Sequence, residues 1–314
     1  MPRPLVIQTE DLDAEPAAWL SERCELVRRG PDEHGFEDLL ARAQGLIVRT
    51  YTRVNAAMLG KAPSLRVVGR AGVGLENIDI PACRARGVEV VHTPGANTRA
   101  VVELVTALML DALRPRMQLI RPLATEHWHQ IRREFVARRE LNELTLGIYG
   151  FGRIGSQVAR VAEALNMRTL YCDLRGIPAA DRHSAEPVAR ERLLSESDIL
   201  TIHVDGRESN RNLLDAPAFA QLRNSAVFIN TSRGFVVDAD ALAAYLRSHP
   251  AAQALIDVHD PQEPFGDAYP LLNLPNARLY PHLASGTAAA KRNMSWVVRD
   301  IWRVLNNERP EFPA

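Results

Sequence analysis

Apolar and polar residues come in short alternating blocks over the first hundred positions. Leu5-Val6-Ile7, Leu46-Ile47-Val48, Leu65-Arg66-Val67-Val68 and Val88-Glu89-Val90-Val91 are brief, mostly apolar runs, the pattern of short buried strands. Helix-like stretches near 36–43, 54–60 and 77–86 separate them. This β-α-β-α rhythm predicts a parallel sheet covered on both faces. Over 98–114 the period changes: Val101, Leu104, Val105, Leu108, Met109, Ala112 and Leu113 recur at helical spacing, and Pro115 marks the expected end. From 115 to 143 the chain is Arg-rich and irregular, with Trp128 and Phe135 as expected apolar anchors. Two readings of that stretch stay open: an arm against another subunit, and a solvated loop and helix on the protein's own surface.

A second alternation starts at 144. Strands are predicted at 145–149, 168–172, 198–204, 226–230, 254–258 and 277–281. The helix between the first two carries Ile154, Val158, Val161, Ala162 and Leu165 on one face. Six strands with helical crossovers fit a doubly wound sheet. The tail over 288–308 is amphipathic, with Met294, Val297, Val298, Ile301, Trp302 and Leu305 on one face. The fold class is therefore α/β.

Length and composition narrow this further. A chain of 314 residues suits two domains, and 46% hydrophobic with 24% charged residues is enough to bury a core. The 38 basic residues equal the 38 acidic ones, which argues against sequence-independent binding to nucleic acid. Lysine occurs only at Lys61 and Lys291, and Gly60-Lys61 is followed by Ala62, so no phosphate-binding P-loop is present. Cys24, Cys83 and Cys172 form no CxxC pair and read as reduced thiols, pointing to the cytoplasm. The first residues show no signal-peptide pattern. The longest apolar stretch, 100–113, is interrupted by Glu103 and Asp111 and is too short to span a bilayer. His127 and His129 have no acidic or cysteine partner at metal spacing, so no metal is expected.

The richest motif is Gly150-Phe151-Gly152-Arg153-Ile154-Gly155, a GxGxxG in its full context. A strand runs into it and a helix leaves it. A second strand ends about 20 residues on at Asp173. Gly150 permits the tight turn, Gly152 removes a side chain from the path of a pyrophosphate, and Gly155 lets helix and strand approach. The N–H groups at the start of the helix, including Arg153 and Ile154, suit the phosphates. Asp173 would accept from the adenosine ribose hydroxyls and repel a 2′-phosphate, which favours NAD over NADP; Arg175 would soften that preference. A glycine turn that merely packs a helix is the bland alternative.

With those residues in place, the sequence resembles the D-isomer-specific 2-hydroxyacid dehydrogenase family over nearly its whole length. The resemblance is carried in order by Gly69-Arg70-Ala71-Gly72-Val73-Gly74, His92-Thr93-Pro94-Gly95-Ala96-Asn97 with Glu103, and the GxGxxG with Asp173. Asn230-Thr231-Ser232-Arg233-Gly234, Asp257-Val258 with Glu263-Pro264, and Pro281-His282-Leu283-Ala284 complete it. It implies two doubly wound parallel-sheet domains. A Rossmann cofactor domain, 97–284, is inserted into a flavodoxin-like catalytic domain made of 1–96 plus 285–314, with the active site in the cleft between them. It also implies NAD as cofactor and a homodimer through 98–143.

On that reading His282 is the general base and Glu263 holds its ring and stabilises its charge, raising its pKa. Arg233 grips the acid and polarises the developing oxyanion. The N–H groups of Val73 and Gly74 hold the substrate carboxylate; Arg49 and Arg70, with Arg53, are candidates to meet a phosphate, and Asn97 to line the substrate side or cap the long helix. His203, Thr231 and Asp257 fall on the cofactor side, Asp257 toward the nicotinamide carboxamide. Each has a bland reading as well: a packed histidine, one arginine among 36, a turn glutamate before Pro264.

The sequence departs from the family in three places. Asp205-Gly206-Arg207-Glu208-Ser209-Asn210 replaces a proline and threonine-rich turn over the adenine. Glu143-Leu144 replaces a common Gly-Lys. His259-Asp260-Pro261-Gln262-Glu263 is more polar than usual, and Asp260 would be the substitute if Glu263 were not the glutamate sought. The glycine loop is worded most like phosphoglycerate dehydrogenases, and hydroxypyruvate or glyoxylate reduction would use the same residues. A NAD-sensing co-repressor that binds peptides is the alternative from another class. The tail is expected to leave no room for a C-terminal regulatory domain.

Overall fold

Five short strands form the first parallel sheet: Leu5–Gln8 (β1), Glu25–Arg28 (β2), Gly45–Val48 (β3), Val67–Arg70 (β4) and Glu89–Val91 (β5), in the order β2-β1-β3-β4-β5. The computed structural model describes residues 3–114, 116–137, 139–261 and 263–314. Four of these strands overlap the apolar runs of the sequence. β2 does not stand out there because it lies at an edge, with Glu25 and Arg28 exposed, and has no need of an apolar run.

The chain divides into two compact units, one running to Arg99 and resuming over Ser285–Ala314, the other Ala100–Ala284. The first unit is completed from the far end of the chain. Helices Ala288–Ser295 and Val298–Leu305 meet at Trp296 and Val297, and Val297, Val298, Ile301 and Leu305 are buried with Val6, Ile47, Val67 and Val91. Gly69 makes this approach possible: a Cβ there would stand 2.7 Å from Ile301 Cδ1. Arg66 then donates to the carbonyls of Leu305 and Val304 at 2.9 and 2.8 Å, satisfying the last turn of the helix. Asp300, buried, accepts from the N–H groups of Glu311 and Phe312, and Ala314 N–H donates to the Val90 carbonyl.

The second unit holds Thr145–Tyr149 (β6), Arg168–Cys172 (β7), Glu186–Pro187 (β8), Ile199–Ile202 (β9), Val227–Asn230 (β10), Gln253–Ile256 (β11) and Ala277–Leu279 (β12). Their order is β12-β11-β10-β9-β6-β7-β8, all parallel. Six correspond to the predicted strands, and β8, two residues long, is additional. The order reverses between β6 and β9, and ligands of such sheets bind beyond the strand ends at that point. Asp198 fastens this centre from below: its buried carboxylate accepts from Thr145 N–H and from Arg139 and Arg223, each within 2.9 Å. A buried charge is tolerable because those donors satisfy it.

Helix Thr98–Leu113 carries the chain into the second unit; the expected stop at Pro115 lies outside the described residues. The apolar residues expected as anchors beyond it lie on the surface of this chain. Helix Thr125–Glu134 buries none of its residues, and Trp128 and Phe135 are 46% and 39% exposed.

Candidate active site

The glycine turn sits where β6 ends. Gly150 has φ +93, which an L side chain adopts only with strain, and a Cβ there would press on the His203 carbonyl at the end of β9. A Cβ on Gly155 would meet the Gly150 carbonyl oxygen. Gly152 caps helix Arg153–Ala164 without any side-chain hydrogen bond, and within 4 Å its Cβ would find Arg175 Nη2 alone, at 3.9 Å. The helix start is thus open, with exposed Arg153 beside it and Ile154 packed into the core. An uncapped helix N-terminus with only the Arg175 guanidinium near it suits a pyrophosphate.

Asp173 follows β7 directly. Its carboxylate accepts from Phe151 N–H at 2.7 Å and from Arg175 N–H at 2.8 Å, and Arg175 Nε lies 3.2 Å away. Burial works against the ionised form, but these hydrogen bonds outweigh it and hold the carboxyl below its usual range. Arg175 therefore folds back over the glycine turn and pairs with Asp173.

Two buried polar atoms on the same side of the sheet find no partner among the described residues, Thr231 Oγ1 and His203 Nδ1. Burial pushes the His203 imidazole down to about 3, so it stays neutral. Orphaned polar atoms beside an open helix start fit a bound dinucleotide better than an empty turn. The unusual loop at 205–210 is stiffened by its own ion pairs: Arg207 grips Asp205 at 2.5 and 2.7 Å, and Asn210 donates to the Asp205 carbonyl at 2.9 Å.

Arg233 sits just past β10 on a turn built by Asn230. The Asn230 amide accepts from Ser232 N–H and Oγ and donates to the Arg233 carbonyl at 3.0 Å. Gly234 lets that turn lie against the chain after β11, since a Cβ there would overlap the His259 carbonyl group. Arg233 Nη1 donates to the Ser232 carbonyl at 2.7 Å.

The central feature is a carboxylate–imidazole pair. Glu263 Oε2 lies 2.7 Å from His282 Nδ1, and Glu263 Oε1 accepts the His259 N–H at 2.9 Å. With Nδ1 donating to the carboxylate, Nε2 is the nitrogen left to exchange a proton. The hydrogen bond it donates to Glu263 raises the His282 pKa above 6.5 against the effect of burial; Asp257 adds to the rise and Arg233 opposes it. Glu263 is held low despite its burial, chiefly by the His282 hydrogen bond. His282 has φ +54, a conformation non-glycine residues rarely adopt. Asp257 helps impose it, accepting from Leu283 and Ala284 N–H at 2.7 and 2.8 Å.

Two residues gain detail here. Asp257 is fully buried and both its oxygens accept from that loop, a positioning contact beyond the carboxamide contact expected from the sequence. Asp260 is not needed as a substitute glutamate; it lies 3.9 Å from Arg211 while Glu263 holds the histidine.

In the first unit, the N–H groups of Val73 and Gly74 follow β4 and donate to no described residue, while the Val73 carbonyl lies 2.9 Å from His92 Nδ1. Arg49 and Arg70 each engage a backbone carbonyl of their own unit. Arg49 Nη1 donates to the Asp11 carbonyl, and Arg70 Nη1 curls over Gly72 to the Ala71 carbonyl, both at 2.9 Å. Asn97, half-buried, immediately precedes helix Thr98–Leu113. Sequence reasoning quoted Asn230, Gly234 and His259 within its motifs but gave them no role of their own. Their signal was position alone, each flanking a residue that it did single out.

Fold and site together define a dinucleotide-binding α/β protein with a carboxylate–imidazole pair on the same unit as its nucleotide turn. Residues 106–284 match the model for the NAD binding domain of D-isomer specific 2-hydroxyacid dehydrogenase. Glyoxylate reductase of Aeropyrum pernix is 32% identical over 96% of this chain and 92% of its own length. D-3-phosphoglycerate dehydrogenase of Archaeoglobus fulgidus is 33% identical over 88% of this chain, which spans about half (50%) of that relative. The crystal structure of the TT0316 protein from Thermus thermophilus aligns with a TM-score of 0.84 at 30% identity, covering 99% of both chains. The protein belongs to the D-isomer-specific 2-hydroxyacid dehydrogenase family.

Proposed function

We propose that the protein is an NAD-dependent D-2-hydroxyacid dehydrogenase acting on a small anionic 2-hydroxy or 2-oxo acid. The observation that carries this is the 2.7 Å Glu263–His282 pair, on the unit that also presents the open glycine turn. Bound nicotinamide supplies or accepts the hydride at C2 of the acid. Gly150, Gly152, Arg153, Ile154 and Gly155 cradle the pyrophosphate, and Asp173 takes the ribose hydroxyls. Thr231 and His203 offer the polar atoms that otherwise lack partners. His282 Nε2 gives the proton to the carbonyl oxygen in reduction and takes it from the hydroxyl in oxidation. Arg233 stabilises the oxyanion between those states. The open N–H groups of Val73 and Gly74 are the proposed grip for the acid's carboxylate, with Asn97 close by in sequence.

Relatives named for glyoxylate and for phosphoglycerate bracket the substrate in size. The test is NADH oxidation with glyoxylate, hydroxypyruvate and 3-phosphohydroxypyruvate. Turnover of at least one is expected, and NADH binding without turnover of any would overturn the enzyme reading. NADPH is expected to serve worse than NADH, since Asp173 is ionised.

Glu263→Gln tests the pair through pH. Reduction needs His282 protonated, so its rate falls as pH rises through the raised His282 pKa. Removing the carboxylate charge lowers that pKa, and the alkaline limb moves to lower pH; an unmoved limb refutes the pairing. The linkage to stability runs in opposite directions for the two partners. The contribution from His282 is complete below 6.5 and lost as pH rises through its raised pKa. That from Glu263 is complete above 4.5 and lost as pH falls through its lowered one.

A homodimer through 98–143 is supported by the concentration of exposed apolar side chains at Met117, Leu119, Ile120, Trp128, Phe135 and Val136. Sedimentation is expected to give twice the 34.9 kDa chain mass, and a monomer at micromolar concentration would reject it. A reducing, cytoplasmic setting fits the free cysteines Cys24, Cys83 and Cys172. No described helix is long and apolar enough to cross a membrane.

A further inference from the structure

His259 belongs to neither the acid–base pair nor the nucleotide turn, yet it is a buried polar side chain three residues past β11. Such a group needs partners. Its Nε2 lies 2.8 Å from the Tyr280 carbonyl oxygen and its Nδ1 lies 3.2 Å from Tyr269 Oη. A carbonyl only accepts, so Nε2 carries the proton and Nδ1 accepts from the phenol. Burial pushes the Tyr269 phenol up to about 12, which keeps it a donor. The ring is held edge-on by Phe265 and Tyr269, with centroids at 4.6 and 5.3 Å.

Both ends of this residue reach the acid–base pair. Its N–H donates to Glu263 Oε1, leaving Oε2 for His282. The Tyr280 carbonyl that accepts from its Nε2 also accepts the His282 N–H, at 3.1 Å. That carbonyl therefore anchors the one residue of the pair whose backbone sits at positive φ.

We propose that His259 is a positioning residue for the pair, fixing Glu263 through its N–H and the His282 backbone through the Tyr280 carbonyl. It touches no reacting atom. The proposal rests on the acid–base role given to Glu263 and His282 above. The chemistry separates its two attachments. A phenylalanine would fill the aromatic surroundings and keep the N–H, but would lose the Tyr280 bond and orphan the Tyr269 hydroxyl. A glutamine would keep a donor for the carbonyl.

The test compares the full chain with His259→Phe, His259→Gln and Tyr269→Phe. Tm and NADH affinity by fluorescence monitor folding. In His259→Phe, kcat for oxo-acid reduction is expected to fall roughly tenfold, with KM and NADH Kd within about twofold, because misorientation of a reacting group costs rate before affinity. The alkaline limb moves to lower pH, because His282 loses part of its support from Glu263 while Asp257 and Arg233 still face it. His259→Gln recovers part of both, and Tyr269→Phe shows a smaller change of the same sign. A readout free of turnover is the NMR titration of the His282 imidazole, assigned by its disappearance in His282→Ala; its midpoint should drop in His259→Phe. If wild-type protein reduces no oxo acid, the enzymatic reading fails and this midpoint alone decides the positioning role. An unchanged midpoint in His259→Phe, or equal losses in the Phe and Gln variants that follow Tm, would overturn it. Should His259→Phe not fold, the midpoints of His259→Gln and Tyr269→Phe decide: wild-type values for both reject the proposal.

Discussion

Replacing His282 by alanine is expected to lower kcat by about a hundred- to ten-thousand-fold, the usual worth of a positioned acid or base. That is about 3–5 kcal/mol in the barrier. NADH affinity should hardly change, because the glycine turn at 150–155 and Asp173 lie on other strand ends and share no hydrogen bond with His282. The variant also strips Glu263 Oε2 of its hydrogen-bonding partner at 2.7 Å. The Glu263 carboxyl should then titrate higher, since burial opposes its charge and the imidazole no longer offsets it. Stopped-flow reduction of an accepted oxo acid, with NADH fluorescence titration alongside, measures both. A variant within tenfold of wild type would remove His282 from the chemistry.

Arg233→Lys carries the second large effect. Lysine keeps the positive charge but not the planar fork, and a compact ammonium cannot serve two oxygens in fixed geometry. A loss of about a hundred- to a thousandfold in kcat/KM is expected, the range for removing one donor to a developing oxyanion. KM for the oxo acid should rise as well, because the same group is assigned to ground-state binding. The turn that presents Arg233 is built by Asn230 and closed by Gly234, while the guanidinium adds a bond to the Ser232 carbonyl, so Tm is measured alongside to separate folding from chemistry. Near-normal kcat/KM would show that a simple charge suffices and that the fork plays no part.

The strands of both sheets were largely legible because parallel strands buried on two faces must be apolar without interruption. β2 and β8 were not, for the opposite reason: they are edges, and Glu25, Arg28 and Glu186 meet solvent. The glycines of the nucleotide turn were legible because each answers a local steric demand. The loop contact of Asp257 was not legible because its hydrogen bonds run to Leu283 and Ala284, 26 and 27 residues away, and no local pattern encodes that. His259 was read as a polar departure from the family for the same reason; Tyr280 and Tyr269 are what give it sense. The 115–143 stretch stayed ambiguous because an amphipathic surface looks alike whether it faces solvent or another chain. The carbonyl contacts of Arg49 and Arg70 were not legible either, since their place near strand ends does not show that the backbone of Asp11 and Ala71 engages them.

The close seat of Ile301 over Gly69 has a consequence for how the chain is made. The face of the first sheet that Val297, Val298, Ile301 and Leu305 cover stays open until those residues leave the ribosome. The second unit, 185 residues from Ala100 to Ala284, is synthesised in the meantime. At roughly 5–20 residues per second that interval is on the order of ten to forty seconds. The inserted unit is contiguous and can fold as it emerges, whereas Val6, Ile47 and Val67 wait uncovered. The nascent chain is thus most exposed to aggregation in its oldest part, and emergence of residues 297–305 is the event that closes it.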